Sequence, residues 1–379
     1  MNHTSLLRRS GILRFGSCLA LAVFAPAAAG TQMQPAPTEP DSPIRLSSNE
    51  NAFGFSPTAR AAMIENIDAG SYYNRNNISD LIETIAQREN VPVSHILTTP
   101  GSGPVLEMTA LAYAEEGKNV VTTAMGYTQL TRRFEARGGE VRYAPLGEDM
   151  GYDFAAMSAL IDENTAVVYL CNPNNPTGTL ADPAALRRFI MSVPRSVLVF
   201  VDEAYLEISD PPFESNTMAP LVRLRPNVLV SRTMSKCFGM AGFRVGYAVA
   251  SPAILDNLRP YYLGAPTYLS AIGAREALLD TEFMEFSKRS YQEVRTFVTA
   301  QFDDMGIEYA NPQGAFVYFH AGMNGEALRE AMAERGILIS GSRESGVEPG
   351  TFENWARVSL GNLEQMQAFI TALKEILES

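Results

Sequence analysis

Histidine is almost missing from this 379-residue chain: His3, His95 and His320 are the whole complement. Spaced so far apart, they form no metal-ligand pattern, and zinc chemistry is not expected. Cysteine is equally sparse. Cys18 lies near the N-terminus, while Cys171, at the end of an apolar run, and Cys237, in a polar loop, read as two free, partly buried thiols rather than the framework of a disulfide-stapled fold. Acidic residues outnumber basic ones 42 to 30, for a formal net charge of −12. A surface of that sign repels nucleic acid and anionic lipid, which leaves small molecules as the expected partners. Nor is there an apolar run of the roughly 20 residues that a membrane-spanning helix needs, so no stable membrane insertion is expected.

What is present is ordinary for a globular chain, 46% hydrophobic and 19% charged, and long enough for two domains. The N-terminus differs in kind. Arg8-Arg9, an apolar stretch over 18–24 and the small residues 27–29 have the order of a secretory signal: basic region, apolar region, A-x-A-like cleavage site. The paired arginines resemble a twin-arginine signal, so residues 1–29 are expected to direct export to the periplasm. Residues 30–43, proline-rich and poor in large apolar groups, read as an extended leader. The fold is expected to begin near Ile44, with an N-terminal arm over 44–70, a large domain over 71–258 and a smaller one over 259–379.

Between residues 95 and 250, apolar strands at 119–123, 140–144, 166–170, 196–201, 227–230 and 245–249 alternate with helical patterns such as 130–136 and 183–191. That alternation implies an α/β architecture, a mainly parallel sheet covered by helices on both faces in three αβα layers. After residue 262 the elements come in blocks. A long helix over about 270–301 precedes strands at 315–320, 337–339 and 355–360 and helices at 326–335 and 363–377, which suggests a smaller α+β domain.

The most informative segment, Ser231-Arg-Thr-Met-Ser-Lys236-Cys-Phe-Gly-Met-Ala-Gly-Phe-Arg244, lies between two of those strands. It is therefore displayed at the end of a sheet, where α/β enzymes place ligands. A lysine amine condenses with an aldehyde and an arginine holds a phosphate, and pyridoxal phosphate carries both groups. Thr233 and Ser235 add hydroxyls for the same phosphate.

Other strand ends supply complementary groups. Asp202, in Asp202-Glu-Ala-Tyr205, can pair with a protonated ring nitrogen, although a strand-end aspartate also caps a following helix. Tyr205 and Asn175 can donate to a phenolic oxygen, Asn175 from the loop Asn172-Pro-Asn-Asn175-Pro, whose prolines restrict the backbone. Pro100-Gly-Ser102-Gly103 opens into a helix whose free amides favour a phosphate. Tyr127 follows another strand and either lies on the cofactor face or packs in the core. Arg357, in the last strand, either grips a carboxylate or phosphate of the substrate through two hydrogen bonds or stands exposed on the strand.

In this order the segments resemble the fold-type I pyridoxal-phosphate-dependent aminotransferases of class I/II, and most closely the histidinol-phosphate aminotransferase branch. The likeness runs from Leu46-Ser-Ser-Asn-Glu-Asn-Ala-Phe-Gly54 to about Leu360. It implies an aspartate-aminotransferase-like fold with Lys236 as the lysine that carries the cofactor and shuttles the proton. Asp202 pairs with the ring nitrogen, Tyr205 and Asn175 hold the phenolic oxygen, and Tyr127 stacks. Ser102, Gly103, Thr233, Ser235 and Arg244 bind the phosphate. Tyr73 matches a position that reaches this phosphate from a partner subunit, which implies a homodimer with shared sites. Arg357 receives the anionic end of the substrate, with Asn175 and Phe53 beside it. Ala52, Asn74 and Met125-Gly126 depart from the family's usual proline, proline and Pro-Thr, all on the substrate side. The resemblance implies exchange of an amino group between an amino acid, aromatic or histidinol-phosphate-like, and a 2-oxo acid. Decarboxylation of an amino acid or phospho-amino acid on the same scaffold is the alternative, and a non-catalytic exported binding protein is a further one.

Overall fold

The chain is described, in a computed structural model, over residues 42–73, 76–342 and 344–378. The export signal, nearly all of the leader and Asn74 lie outside these residues. A two-residue strand, β1 (Ile44–Arg45), opens the described chain. Valine-rich runs then form a seven-stranded sheet, since β-branched side chains suit a pleated surface. Its strands are β2 (Ile96–Thr99), β3 (Asn119–Thr123), β4 (Glu140–Ala144), β5 (Thr165–Cys171), β6 (Leu198–Asp202), β7 (Val228–Thr233) and β8 (Gly246–Ala250), in the order β2-β8-β7-β6-β5-β3-β4. All neighbours pair in parallel except β8, which runs antiparallel to both β2 and β7. The link from β7 to β8, residues 234–245, forms no crossover α-helix and holds only the three-residue 3-10 helix Ala241–Phe243, and the strand returns in the opposite sense.

Alternate residues of each strand feed opposite cores, as the two-residue period requires. Val120, Phe200 and Leu229 pack with Val105 and Leu106 of the helix Gly103–Tyr113 and with Leu255 of the helix Pro252–Leu258. On the other face, Val121, Val199 and Val228 join Leu81 and Ile85 of the helix Asn76–Glu89 and Leu186 of the helix Pro183–Ser192. The three layers inferred from the sequence are therefore present.

Beyond β8 the expected single helix over 270–301 is two, Tyr268–Leu279 and Thr281–Met305. Asp280 separates them: its carboxylate accepts from the amide of Phe283 at 3.0 Å, capping the second helix. The strand β2, absent from the sequence expectation, completes one edge of the large sheet. The remaining strands are β9 (Phe316–His320), β10 (Ile337–Leu338) and β11 (Trp355–Ser359). β9 and β11 pair antiparallel, while β10 takes β1 as a parallel partner. The amide of Ser359 donates to the carbonyl of Leu46 at 2.8 Å, which stitches the N-terminal arm to β11. Among the described residues no helix is long and apolar enough to cross a membrane.

Candidate active site at the strand ends

Because β2, β3, β5, β6 and β7 point the same way, their C-terminal ends share one edge of the sheet, the edge at which β8 begins. Ser102 and Gly103 follow β2, Tyr127 follows β3 and Asn175 follows β5. Asp202 ends β6 and Tyr205 comes just after it, Thr233 ends β7 with Ser235 and Lys236 beyond, and Arg244 precedes β8. All of these residues, with Arg357 of β11, line one cavity of about 310 Å³. Ligands collect at such an edge in open α/β sheets.

One end of the cavity is suited to a phosphate. Ser102 and Gly103 begin an eleven-residue helix whose first amides have no intrahelical partner. The Thr233 hydroxyl donates to Ser235 Oγ at 2.9 Å. Arg244 adopts a left-handed backbone, φ 53°, and lies against Gly101, φ 87°. A β-carbon on Gly101 would collide with the Arg244 guanidinium, so glycine is required there for the arginine to sit at this end.

The other end holds buried titratable groups. Burial lowers the Lys236 amine to about 8, helped by the charge of Arg357. Its Nζ donates to the carbonyl of Asn49 at 2.8 Å. Asp202 is buried and accepts from Ser231 Oγ at 2.8 Å, and burial pushes its carboxyl up to about 6 against the opposing pull of that hydrogen bond. It caps no helix. The Tyr205 hydroxyl, raised by burial, accepts from Asn49 Nδ2 at 3.0 Å and from Asn175 Nδ2 at 3.4 Å. Arg357 is buried rather than exposed on its strand, with Nη1 donating to Asn175 Oδ1 at 2.5 Å and Nη2 to the Ser47 carbonyl at 2.9 Å.

One of the residues expected here stands elsewhere. Phe53 does not line the cavity; its ring packs edge-on against Tyr291 and Phe286 of the helix Thr281–Met305, with centroids at 5.3 and 6.2 Å. The turn responsible is set by Asn51, which donates to the Lys236 carbonyl at 2.9 Å and accepts from the Phe53 amide at the same distance, directing the ring outward. Tyr73, expected to serve a partner's site rather than this one, is fully exposed and outside this cavity. Cys171 and Cys237 are free, as expected, though wholly rather than partly buried. The sequence reading missed Ser47, Ser48, Asn49 and Gln129 as lining residues. The run 47–51, polar throughout directly after the first strand, carried a signal; Gln129, one residue at the start of a helix, carried none.

The sequence profile of the family described as "Aminotransferase class I and II" matches residues 41–373. A histidinol-phosphate aminotransferase from Brevibacillus brevis is 32% identical over 339 residues, covering 88% of this chain and 90% of that protein. Among solved structures, a candidate histidinol-phosphate aminotransferase from Erwinia carotovora atroseptica superposes with a TM-score of 0.82 at 29% identity, covering 89% of this chain and 96% of the other. The histidinol-phosphate aminotransferase from Sinorhizobium meliloti, solved in complex with pyridoxal 5′-phosphate, gives 0.78 at 26% identity over 89% and 91%.

Proposed function

The chain belongs to the class I and II aminotransferase family, and from that premise we propose that it moves an amino group between an amino acid and a 2-oxo acid, with pyridoxal 5′-phosphate held in the strand-end cavity. The observation that carries this reading is the pairing, inside one cavity, of a buried lysine of lowered basicity and a buried carboxylate with a cradle of hydroxyls, helix amides and an arginine. The cradle fits a phosphate: the absence of a β-carbon on Gly101 lets the Arg244 guanidinium lie there, beside the free helix amides and the Thr233 and Ser235 hydroxyls, all of which can donate.

When bound, pyridoxal phosphate supplies an aldehyde that condenses with amines and a ring that withdraws electrons from the substrate's α-carbon. Ser102, Gly103, Thr233, Ser235 and Arg244 would hold its phosphate, Asp202 its ring nitrogen, Tyr205 and Asn175 its ring oxygen, and Tyr127 would stack on the ring. Lys236, at about 8, is partly neutral near neutral pH and so takes the proton from the substrate's α-carbon and later returns one. Arg357, held by Asn175 and Ser47 before any substrate arrives, orients the substrate carboxylate.

Two further features belong to this reading. Tyr73 and its chain neighbour Tyr72 are both exposed, large side chains that a second copy of the chain would cover, and a homodimer would bring Tyr73 to the partner's site. The signal-like residues 1–29 favour export, and hence a donor met outside the cytoplasm; an aromatic amino acid is preferred over histidinol phosphate on that ground. Relatives named as aminotransferases favour transamination over decarboxylation.

The test uses protein recovered from the periplasmic fraction of the producing cells, and its absence from that fraction would remove the export reading. Amino acids, histidinol phosphate included, are added singly while the bound cofactor's absorbance is followed, and 2-oxoglutarate is then used to reverse the change. Aromatic amino acids should bleach the absorbance and 2-oxoglutarate should restore it. No response to any compound would remove the aminotransferase reading.

A further inference from the structure

The orientation of the Tyr205 hydroxyl can be worked out from donors that admit only one assignment. The Asn49 amide N–H can only donate, and it donates to Ser359 Oγ at 2.8 Å. The Ser359 proton therefore goes elsewhere, to Asn49 Oδ1 at 2.8 Å. That turns Asn49 Nδ2 toward Tyr205. A guanidinium also only donates, so the contact from Arg357 fixes Asn175 Oδ1 and turns Asn175 Nδ2 toward the same phenol. Two amides thus occupy both lone pairs of the phenol oxygen, and no protein acceptor for the phenol's own proton stands among the described residues.

We infer that Asn49 is a positioning residue: together with Asn175 it fixes Tyr205 as a proton donor aimed into the cavity. Asn49 is suited to the task because its backbone is left-handed, φ 54°, a conformation that asparagine tolerates better than most side chains and that is found where function holds strain in place. It is also buried, and its carbonyl accepts from Lys236 Nζ, so the residue that aims the phenol also anchors the amine. The inference rests on the reading above, in which Tyr205 faces the ring oxygen of the bound cofactor.

The test is a pH titration of the bound cofactor's absorbance in the holoenzyme, on wild type, Asn49→Gly, Tyr205→Phe and the double variant. Glycine keeps the left-handed backbone and introduces no charge. Loss of a donor to an ionised oxygen should raise the pH midpoint of the absorbance change, by about 0.5 to 1 unit in Asn49→Gly and in the same direction in Tyr205→Phe. In the double variant, removing Asn49 should add nothing further. A midpoint that Asn49→Gly leaves at the wild-type value while Tyr205→Phe moves it would overturn the role of Asn49 alone. A shift by Asn49→Gly that persists undiminished in the Tyr205→Phe background would overturn it as well, because the effect would then not pass through the phenol. If Tyr205→Phe itself moves nothing, the reading of Tyr205 fails and takes the inference with it. Melting of the cofactor-free proteins reports whether each variant folds; should Asn49→Gly not fold, Ser359→Ala, which releases the Asn49 amide, should give a smaller shift of the same sign, and no shift there would count against the proposal.

Discussion

Asp202 and Lys236 titrate toward each other across neutral pH. The Asp202 carboxyl moves from its ordinary 3.8 to about 6. Between those values the unfolded chain has released the proton and the native chain has kept it, so stability falls as pH rises through that window, by roughly 3 kcal/mol. Lys236 moves from 10.5 down to about 8, and there the unfolded chain keeps the proton that the native chain has lost, so stability rises with pH. Burial raises Glu203 to about 7 as well, so the fall continues to that pH, and the cofactor-free protein should be least stable between about pH 7 and 8, where all three buried groups are charged. Melting temperatures across pH 4 to 10 check this: Glu203 contributes to the same fall, so Asp202→Asn should remove about half of it, and an unchanged profile would contradict the role of Asp202. At this scale Lys236, Asp202 and Arg244 were legible in the sequence because each adjoins a strand end. The polar run 47–51 marked the segment around Asn49 but not that residue's role, because its partners Tyr205 and Ser359 stand 156 and 310 positions away and only the folded chain brings them together.

The strand β7 carries a second, fully buried charge cluster behind the cavity. Arg232 reaches Glu203 at 2.9 Å, Glu89 at 3.2 Å and Glu207 at 3.3 Å. It thereby ties β7 to the end of β6, the turn after it and the helix Asn76–Glu89, between Ser231, which holds Asp202, and Thr233 of the phosphate cradle. Removing one partner of a buried ion pair leaves the others uncompensated, so Arg232→Ala should cost about 3 to 5 kcal/mol, read as a lowered urea midpoint. A loss below about 1 kcal/mol would mean that the three carboxylates find protons or water instead. The alternation of strand and helix was legible because its hydrophobic periods are long and unbroken. The direction of β8 depended on how the loop over 234–245 turns back without an α-helix, and the break at Asp280 on a single capping side chain inside an otherwise continuous helical pattern. β2 spans only four residues, two of them threonines, so its apolar run is too short to stand out as a strand.

For the whole molecule, the proposed homodimer with Tyr73 reaching across makes a quantitative claim. Lys236→Ala and Tyr73→Ala subunits, each inactive or nearly so alone, should regain about a quarter of wild-type activity when unfolded together and refolded in equal amounts, since half of the dimers then carry one intact site. No recovery, with dimers present by sedimentation, would place both residues in the same subunit's site. This arrangement could not be read from one chain's contacts, because a side chain that serves a partner looks idle in its own subunit.

The short pairing of β1 with β10 has a bearing on maturation. The amide of Ile44 is already bonded to the carbonyl of Gly336, and five residues later Asn49 touches both Lys236 and Tyr205. Under the proposed export, a cut after residue 29 would leave residues 30–43 between the new terminus and β1, whereas a cut past residue 45 would remove the strand that anchors the arm and leave Asn49 on a frayed end.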